Sequence, residues 1–215
     1  MNDSDKVKTI IYPVLGEKQD KEFNKLLQRQ ISEQFGDNKL SKMEDDDGNV
    51  VAYVTMEITT RATRATINIK ENFIQVRAKV IDFDYDTLLK LNDTARNIFE
   101  EEGVYGVKFG GQLKSILMRS LYPPFDYDYP TTIIERAAFY WVEIATKQAF
   151  NNGNKRTAFL AALTYLELNG YELDTSELTS KKLYNTSLRI ANHELDKDDV
   201  YNLIFDSVSI KMFGD

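Results

Sequence analysis

The stretch QAFNNGNKRTA, residues 148–158, joins two hydrophobic segments that both have helical spacing. Its centre, NNGN, predicts a tight turn followed by a helix N-cap, because Gly permits unusual backbone angles and Asn is a favoured cap. Lys155 and Arg156 then fall in the first turn of the second helix. Two cations at this place need an explanation, since a helix N-terminus already carries a partial positive charge.

A bound anion would explain the two cations. The first backbone N–H groups of a helix lack partners within the helix and, together with the helix dipole, they favour phosphate. Arg156 can hold two phosphate oxygens with its planar guanidinium, and Lys155 can act as a point charge. The G-x-x-x-x-G-K-[ST] spacing of a Walker P-loop is not present. Two interpretations stay open: a phosphate site, or two ordinary solvated cations.

The segments on both sides of the turn predict buried helices. Steps of three and four residues place one stripe on the first helix: Ile134, Ala137, Ala138, Trp141, Ile144, Ala145 and Gln148. Gln148 is therefore predicted to continue the apolar stripe, away from Glu135 and Lys147. After the turn the stripe consists of Phe159, Ala162, Leu163 and Leu166, and it ends at Asn169 and Gly170.

The region before these helices also has helical character. One stripe consists of Leu88, Leu91, Ala95, Ile98 and Phe99, and Gly103 follows it as Gly often follows a helix. Residues 105–130 hold three Gly and three Pro around a short helix that is predicted for residues 112–120. Several Gly and Pro residues on both sides of a short helix are typical of a loop or flap.

Residues 1 to about 80 predict a different, mixed structure. Helical spacing connects Phe23, Leu26, Leu27, Ile31 and Phe35. Further on, the alternation of Ile67, Ile69, Val76, Ala78 and Val80 predicts a β-hairpin with its turn near Glu71 and Asn72. The acidic EDDDGN, residues 44–49, predicts a solvated loop, because the longer ligand pattern of a calcium loop is absent.

Composition limits the possible functions. The chain has 215 residues, 42% of them hydrophobic, which is enough for one sizeable domain with an elaborated end. A net charge of −7 argues against broad binding to nucleic acid or to an anionic membrane. No cysteine is present to form a disulfide or a thiolate metal site. The chain lacks a long apolar run and a signal-peptide pattern, so we expect a cytoplasmic protein.

Residues 148–158 and the helix after them resemble the signature of the Fic/Doc (Fido) family, H-x-F-x-[DE]-[AG]-N-K-R-T-A. Lys155 and the KRTA continuation are more similar to its Doc, or death-on-curing, branch. YGVKFGGQLKSILMRSLYPPFDYD, residues 105–128, resembles the family's flap and the short helix after it. The resemblance covers roughly residues 85–204. It implies a mainly α, Fido-type helical core with a flap hairpin over residues 83–215, after a small α+β segment with a β-hairpin over residues 1–82.

The resemblance also implies roles for individual residues. Family members bind a nucleoside triphosphate, such as ATP with Mg²⁺, and move AMP or a terminal phosphate onto a hydroxyl of a target protein. Phe150 would anchor the loop in the core and Gly153 would allow the turn. The phosphates would be held by Asn154, Lys155 and Arg156, beside Gly153. A target strand would pair with the flap residues Gly106, Val107, Lys108, Phe109 and Gly110.

Two positions, Gln148 and Asn152, depart from the family pattern. Gln148 stands where the family has the His that acts as general base, and an amide cannot accept a proton near neutral pH. Asn152 stands where the family has the Asp or Glu that holds magnesium, and its neutral oxygen is a weaker ligand. Phe159 replaces the second Arg of the Fic branch, in agreement with Doc. The family's inhibitory motif, [ST]-x-x-x-E-[GN], does not occur in the chain.

Few other residues carry a group that suits the role of the missing base or metal ligand. His193, the single histidine, is predicted to be a solvated residue near a helix end. Glu135 and Glu143 lie elsewhere on the helix that precedes Gln148. For Tyr127 and Tyr129, a structural role and a target-binding role both stay open. The acidic residues 100–102 lack any recognised metal-binding spacing.

The sequence thus supports two functions. The first is a toxin-like or regulatory pseudoenzyme that binds a nucleotide or phosphate at GNKR and acts through a protein target or an antitoxin-like partner. The second is an active transferase of a toxin–antitoxin or phage-defence system, because positioning and electrostatics supply most of the rate in phosphoryl transfer. Neither function predicts binding to nucleic acid or to a membrane.

Overall fold

A computed structural model describes residues 7–35, 39–44, 50–55, 71–99, 103–122, 130–173 and 180–214. The chain divides into two compact units, Met1–Val80 with Ser209–Asp215, and Ile81–Val208. Residues 209–215 thus group with the N-terminal unit in this division, and the resemblance implies a helical core over residues 83–215. Within the described residues, the structure has no helix with the length and apolar character needed to cross a membrane.

The described residues are mainly helical. In chain order the elements are β1 (Val7–Val14), α1 (Glu17–Phe35), β2 (Lys39–Glu44), β3 (Val50–Thr55), β4 (Glu71–Lys79), α2 (Tyr85–Phe99), α3 (Gly110–Leu121), α4 (Ile133–Lys147), α5 (Asn154–Leu168), β5 (Tyr171–Leu173), α6 (Ser180–Ala191), α7 (Lys197–Ser207), β6 (Val208–Ile210) and β7 (Met212–Phe213).

The N-terminal unit combines one helix with a five-stranded sheet. The strand order is β2-β3-β4-β1-β7, with β1 parallel to β4 and the other neighbours antiparallel. The predicted stripe of α1 is confirmed where its side chains are described: Phe23, Leu26, Leu27 and Ile31 are all buried. Phe23 also packs edge-on against Tyr12 of β1, with ring centroids 4.8 Å apart.

The predicted hairpin turn at Glu71 and Asn72 is wrong. Both residues lie in β4, where Glu71 pairs with Val54 and Asn72 pairs with Tyr53 of β3. The strand lies between β3 and β1, and pairing on both sides outweighs the weak strand preference of Glu and Asn. The other arm of the predicted hairpin, with Ile67 and Ile69, lies outside the described residues, as do residues 45–49 of the acidic loop.

Helix α4 is the centre of the helical unit and packs against α3, α5, α6 and α7. Its predicted stripe is buried from Ile134 to Ala145. A capping box fixes its start: Thr132 accepts a hydrogen bond from the backbone of Glu135, and the Glu135 carboxylate bonds back to the Thr132 backbone. The side chain of Glu143 pairs with Arg119 of α3. Glu135 and Glu143 therefore both have structural partners.

A buried polar network joins the first residues of the helical unit to α4 and α5. Arg136 of α4 donates a 2.7 Å hydrogen bond to Asp82, and the Tyr165 hydroxyl of α5 donates a 2.9 Å bond to the same carboxylate oxygen. The Arg136 side chain is 5% exposed and that of Asp82 is 30% exposed. Burial raises the pKa of Tyr165, so its hydroxyl stays protonated and able to donate.

We expect Asp82→Ala to lower the free energy of unfolding by about 3 kcal/mol, because it leaves the Arg136 charge buried without its carboxylate. Urea unfolding measures the change. Asp93→Ala, which removes an exposed carboxylate from α2, is the control and should change stability by less than about 0.5 kcal/mol. Equal effects of the two substitutions would contradict a structural role for the Asp82 network.

Candidate functional site

Gln148 lies outside helix α4, contrary to the sequence prediction. The helix ends at Lys147, and Gln148 adopts a left-handed conformation with φ 50° and ψ 45°. Its side chain is exposed, whereas the next two residues, Ala149 and Phe150, are buried. A left-handed residue commonly terminates a helix and redirects the chain. That reversal moves Gln148 off the apolar stripe and to the mouth of a cavity.

Residues 148–153, here called the cavity loop, are held by side-chain amides. Asn154 brackets Phe150: its Oδ1 accepts from the Phe150 N–H at 2.9 Å, and its Nδ2 donates to the Phe150 carbonyl at 2.9 Å. The Asn152 Oδ1 accepts from the Gly153 N–H at 2.8 Å. The N-cap of α5 is Gly153, with φ 77° and no side-chain cap, so the predicted Asn cap is wrong. Asn154 instead stabilises the loop.

The start of α5 faces a cavity of about 220 Å³. The Thr157 N–H donates to the Gly153 carbonyl at 2.8 Å, so the N–H groups of residues 154–156 precede the first bond of the helix ladder. The cavity is lined by Ala145, Gln148, Asn151, Asn152, Gly153, Asn154, Lys155, Arg156, Tyr184 and Ala191. The structure thus brings together the predicted phosphate-binding residues and both departures from the family pattern.

The electrostatics of the cavity favour an anion. Lys155 and Arg156 are among its lining residues, and no carboxylate occurs among the described residues of that lining. The Arg156 guanidinium lies over the ring of Tyr184, with Cζ 5.6 Å from the ring centroid, an arrangement that helps to orient the cation. Sequence reasoning missed Tyr184 because it lies on α6, far along the chain, and no local motif marks it.

The same lining residues do not fit a magnesium ion. Magnesium is commonly held by one or two carboxylates, and the side chains of the described lining offer only neutral oxygens, those of Gln148, Asn151, Asn152, Asn154 and Tyr184. The Oδ1 of Asn152 is already engaged by the Gly153 N–H. No cluster of three or more His, Cys, Asp or Glu side chains suited to a metal occurs in the part of the chain that the structure describes.

The flap, residues 106–110, is bonded directly to the cavity loop. The N–H groups of Lys108 and Phe109 both donate to the Ala149 carbonyl, at 2.8 and 3.0 Å, and the Asn151 N–H donates to the Gly106 carbonyl at 2.9 Å. Val107 forms an isolated antiparallel bridge with Phe150. In place of the expected hairpin, residues 103–109 are irregular apart from this bridge, and Gly110 begins α3.

Gly153 has a conformation that other residues rarely adopt. Besides its positive φ, a Cβ at this position would lie 2.7 Å from the Tyr105 ring and 3.3 Å from the Asn92 amide. We expect Gly153→Ala to lower the free energy of unfolding by about 1–3 kcal/mol. Gly111→Ala is the matched control, since φ at Gly111 is ordinary, its Cβ would meet nothing within 4 Å, and it lies in α3. That control should leave stability unchanged or raise it by up to about 1 kcal/mol.

The remaining candidate residues lie away from the cavity or outside the described residues. His193 is exposed and lies in the turn that ends α6, with φ 61°. Its backbone N–H donates to the Ile190 carbonyl at 2.9 Å. The prediction of a solvated residue near a helix end is confirmed. Tyr127, Tyr129 and the acidic residues 100–102 lie outside the described residues.

Comparison with known proteins gives the chain its family. The model of the Fic/DOC family matches residues 82–166, which include the flap, the cavity loop and most of α5. Protein kinase doc of Escherichia phage P1 is 34% identical over 94 residues, which are 43% of this chain and 72% of that relative. Tyr184 and Ala191 of the cavity lie beyond the matched segment. The chain belongs to the Fic/Doc family.

Proposed function

We propose that this protein binds the phosphates of a nucleoside triphosphate at the start of α5 and transfers little or none of the nucleotide, acting as a toxin-like or regulatory member of its family. The observation that carries the proposal is the composition of one cavity. Lys155, Arg156 and the first N–H groups of α5 meet there with Gln148 and Asn152. The groups that bind phosphate are present, and the groups that the family uses for chemistry are replaced.

The phosphate would be held by three kinds of donor. Backbone N–H groups at the helix start and the helix dipole favour negative charge. Arg156, oriented by Tyr184, can form paired hydrogen bonds to two phosphate oxygens, and Lys155 adds a second full charge. The bound anion would offset the repulsion between these cations and the helix N-terminus, which amounts to about 0.3–1 kcal/mol for each charge.

The same cavity lacks an acceptor for the proton of an attacking hydroxyl. Gln148 is a neutral amide, and the described lining residues include no imidazole and no carboxylate. General-base catalysis contributes typically about 10²–10⁴-fold to a rate. A target hydroxyl placed beside Gln148 would have to give its proton to water, so transfer would be slow or absent. The protein would then act by binding its target or an antitoxin-like partner, in the cytoplasm where nucleotides are plentiful.

An active transferase is the second candidate, and the relative's name favours a specific form of it. A protein kinase moves a terminal phosphate, so residual activity would be transfer of the γ-phosphate and not of AMP. The intact cation set supports this candidate, because phosphoryl transfer depends mainly on positioning and electrostatic stabilisation.

A labelling experiment separates the two candidates. The unaltered protein is incubated with cell lysate and with ATP labelled at either the α or the γ phosphate. We expect no labelled protein band above that of a Lys155→Ala, Arg156→Ala control. A band labelled only from γ-labelled ATP would overturn the pseudoenzyme proposal and identify a phosphotransferase; a band labelled only from α-labelled ATP would identify AMP transfer.

A further inference from the structure

Asn92 is a buried polar residue on the apolar face of α2. It is 2% exposed and lies between Leu88, Leu91 and Ala95, which are all buried. A polar side chain in such a stripe needs hydrogen-bond partners, because an unpaired buried amide is costly. The family signature does not include this position, and sequence reasoning passed over it, although a single Asn within an apolar stripe is a visible signal.

The Asn92 amide bonds three separate segments. Its Oδ1 accepts from the Gly106 N–H of the flap at 3.1 Å. Its Nδ2 donates to the Asn152 carbonyl of the cavity loop at 3.0 Å and to the Thr157 hydroxyl of α5 at 3.0 Å. The partners fix the orientation of the amide, since a backbone N–H requires the oxygen and a backbone carbonyl requires the nitrogen.

The surroundings of Asn92 leave little freedom. Thr157 is fully buried, and a Cβ on Gly153 would lie 3.3 Å from Asn92 Nδ2. The ring of Tyr105, which precedes the flap, would lie 2.7 Å from the same Cβ. The flap and the cavity loop are also bonded to each other through Gly106, Lys108, Ala149 and Asn151. Asn92 thus binds both segments to the helical core at one point.

We propose that Asn92 is a positioning residue that fixes the flap and the cavity loop to α2 as one unit. The proposal deepens the proposed function and rests on it only in part. Because both segments are fixed to α2, the proposed phosphate site and the flap keep one relative geometry. The direct backbone bonds join the two segments to each other, and the buried amide fixes the joined pair to α2. Loss of the amide releases both segments together, while the cations of the site remain in place.

Amide hydrogen exchange without nucleotide tests the proposal on the full chain. In Asn92→Ala, the amides of Gly106, Lys108 and Asn151 should exchange at least about tenfold faster, because local opening becomes easier. The amides of Trp141 and Ile144 in α4 should stay within about twofold of their rates in the unaltered protein. Asn97→Ala, which removes an exposed Asn from the same helix, is the control and should leave all five rates unchanged.

Calorimetric titration with ATP supplies a second readout. The affinity of Asn92→Ala should fall about tenfold although Lys155 and Arg156 are unchanged, since the backbone N–H groups of the site lose their fixed positions. If the unaltered protein does not bind ATP and the exchange pattern is as expected, the proposed function fails and the positioning role of Asn92 stands. If ATP binds and the exchange rates do not change, the positioning role fails and the proposed function stands.

Two further exchange results would overturn the proposal. A uniform increase that includes α4 would show that Asn92 serves general stability only, and an increase in one segment alone would show that it does not join the two. If Asn92→Ala fails to fold, Asn92→Asp takes its place, because it keeps the shape and the acceptor toward Gly106. Asn151 should then exchange at least about tenfold faster and Gly106 should change less; unchanged rates at Asn151 would again overturn the proposal.

Discussion

Changing Gln148 to His and Asn152 to Asp together is expected to raise the rate of protein labelling from ATP by about 10²–10⁴-fold, the usual contribution of a general base. Gln148 already lines the cavity with Lys155 and Arg156, the proposed phosphate-binding residues, so an imidazole there would face a nucleotide bound as proposed. Asn152→Asp restores the carboxylate that the family has at this position. Its Oδ1 can keep the bond from the Gly153 N–H, so the loop should hold its shape.

The measurement is transfer of label from α- or γ-labelled ATP to lysate proteins, compared with the unaltered protein. The control adds Lys155→Ala and Arg156→Ala to the restored pair, which keeps the base and removes the two cations that are proposed to bind phosphate. This fourfold variant should label nothing. Equal labelling by the unaltered protein and the restored variant would contradict the claim that these two positions limit activity.

The second large effect concerns binding. Lys155→Ala with Arg156→Ala should abolish the stabilisation of the protein by ATP, because both cations of the cavity are removed. A ligand present at one hundred times its Kd stabilises the folded state by about 2.7 kcal/mol. For a chain of this size that corresponds to a rise in Tm of roughly 5–10 °C. Differential scanning calorimetry with and without ATP measures the difference.

A charge-matched variant is the control for this experiment. Lys147→Ala with Arg189→Ala removes the same formal charge from exposed residues that do not line the cavity. It should keep the full rise in Tm with ATP. A rise that persists in Lys155→Ala, Arg156→Ala, or that is lost equally in both double variants, would exclude a specific phosphate site at the start of α5.

The sequence predicted the helical core well because its signals are local and periodic. The stripes of α1 and α4, apart from Gln148, follow from spacing, the Asn169–Gly170 stop of α5 follows from residue type, and the structure has all three. The prediction of a hairpin turn at Glu71 and Asn72 was wrong because strand pairing joins segments that are distant in the chain. β4 takes its neighbours from β3 and β1, and pairing between distant segments outweighed the weak preference of two polar residues.

The sequence predicted a turn that holds Gln148, Asn152, Lys155 and Arg156, and the structure places these residues along one cavity, but the sequence did not predict the geometry of the turn. The stripe of α4 could not show that Gln148 leaves the helix in a left-handed conformation. Capping preference could not show that Asn154 bonds to Phe150 while a Gly caps the helix. Tyr184 and Asn92 come from helices distant in the chain, so only the folded structure brings them to the loop.

The most direct test of the central claim is an NMR titration of the unaltered, ¹⁵N-labelled protein with ATP. We expect saturable shifts of the backbone amides of Gly153, Asn154, Lys155 and Arg156, larger than those of any other part of the helical unit. These amides should also shift with inorganic triphosphate, which has the phosphates without the base. No change at these four amides at millimolar ATP, or larger changes elsewhere, would contradict a phosphate site at the start of α5.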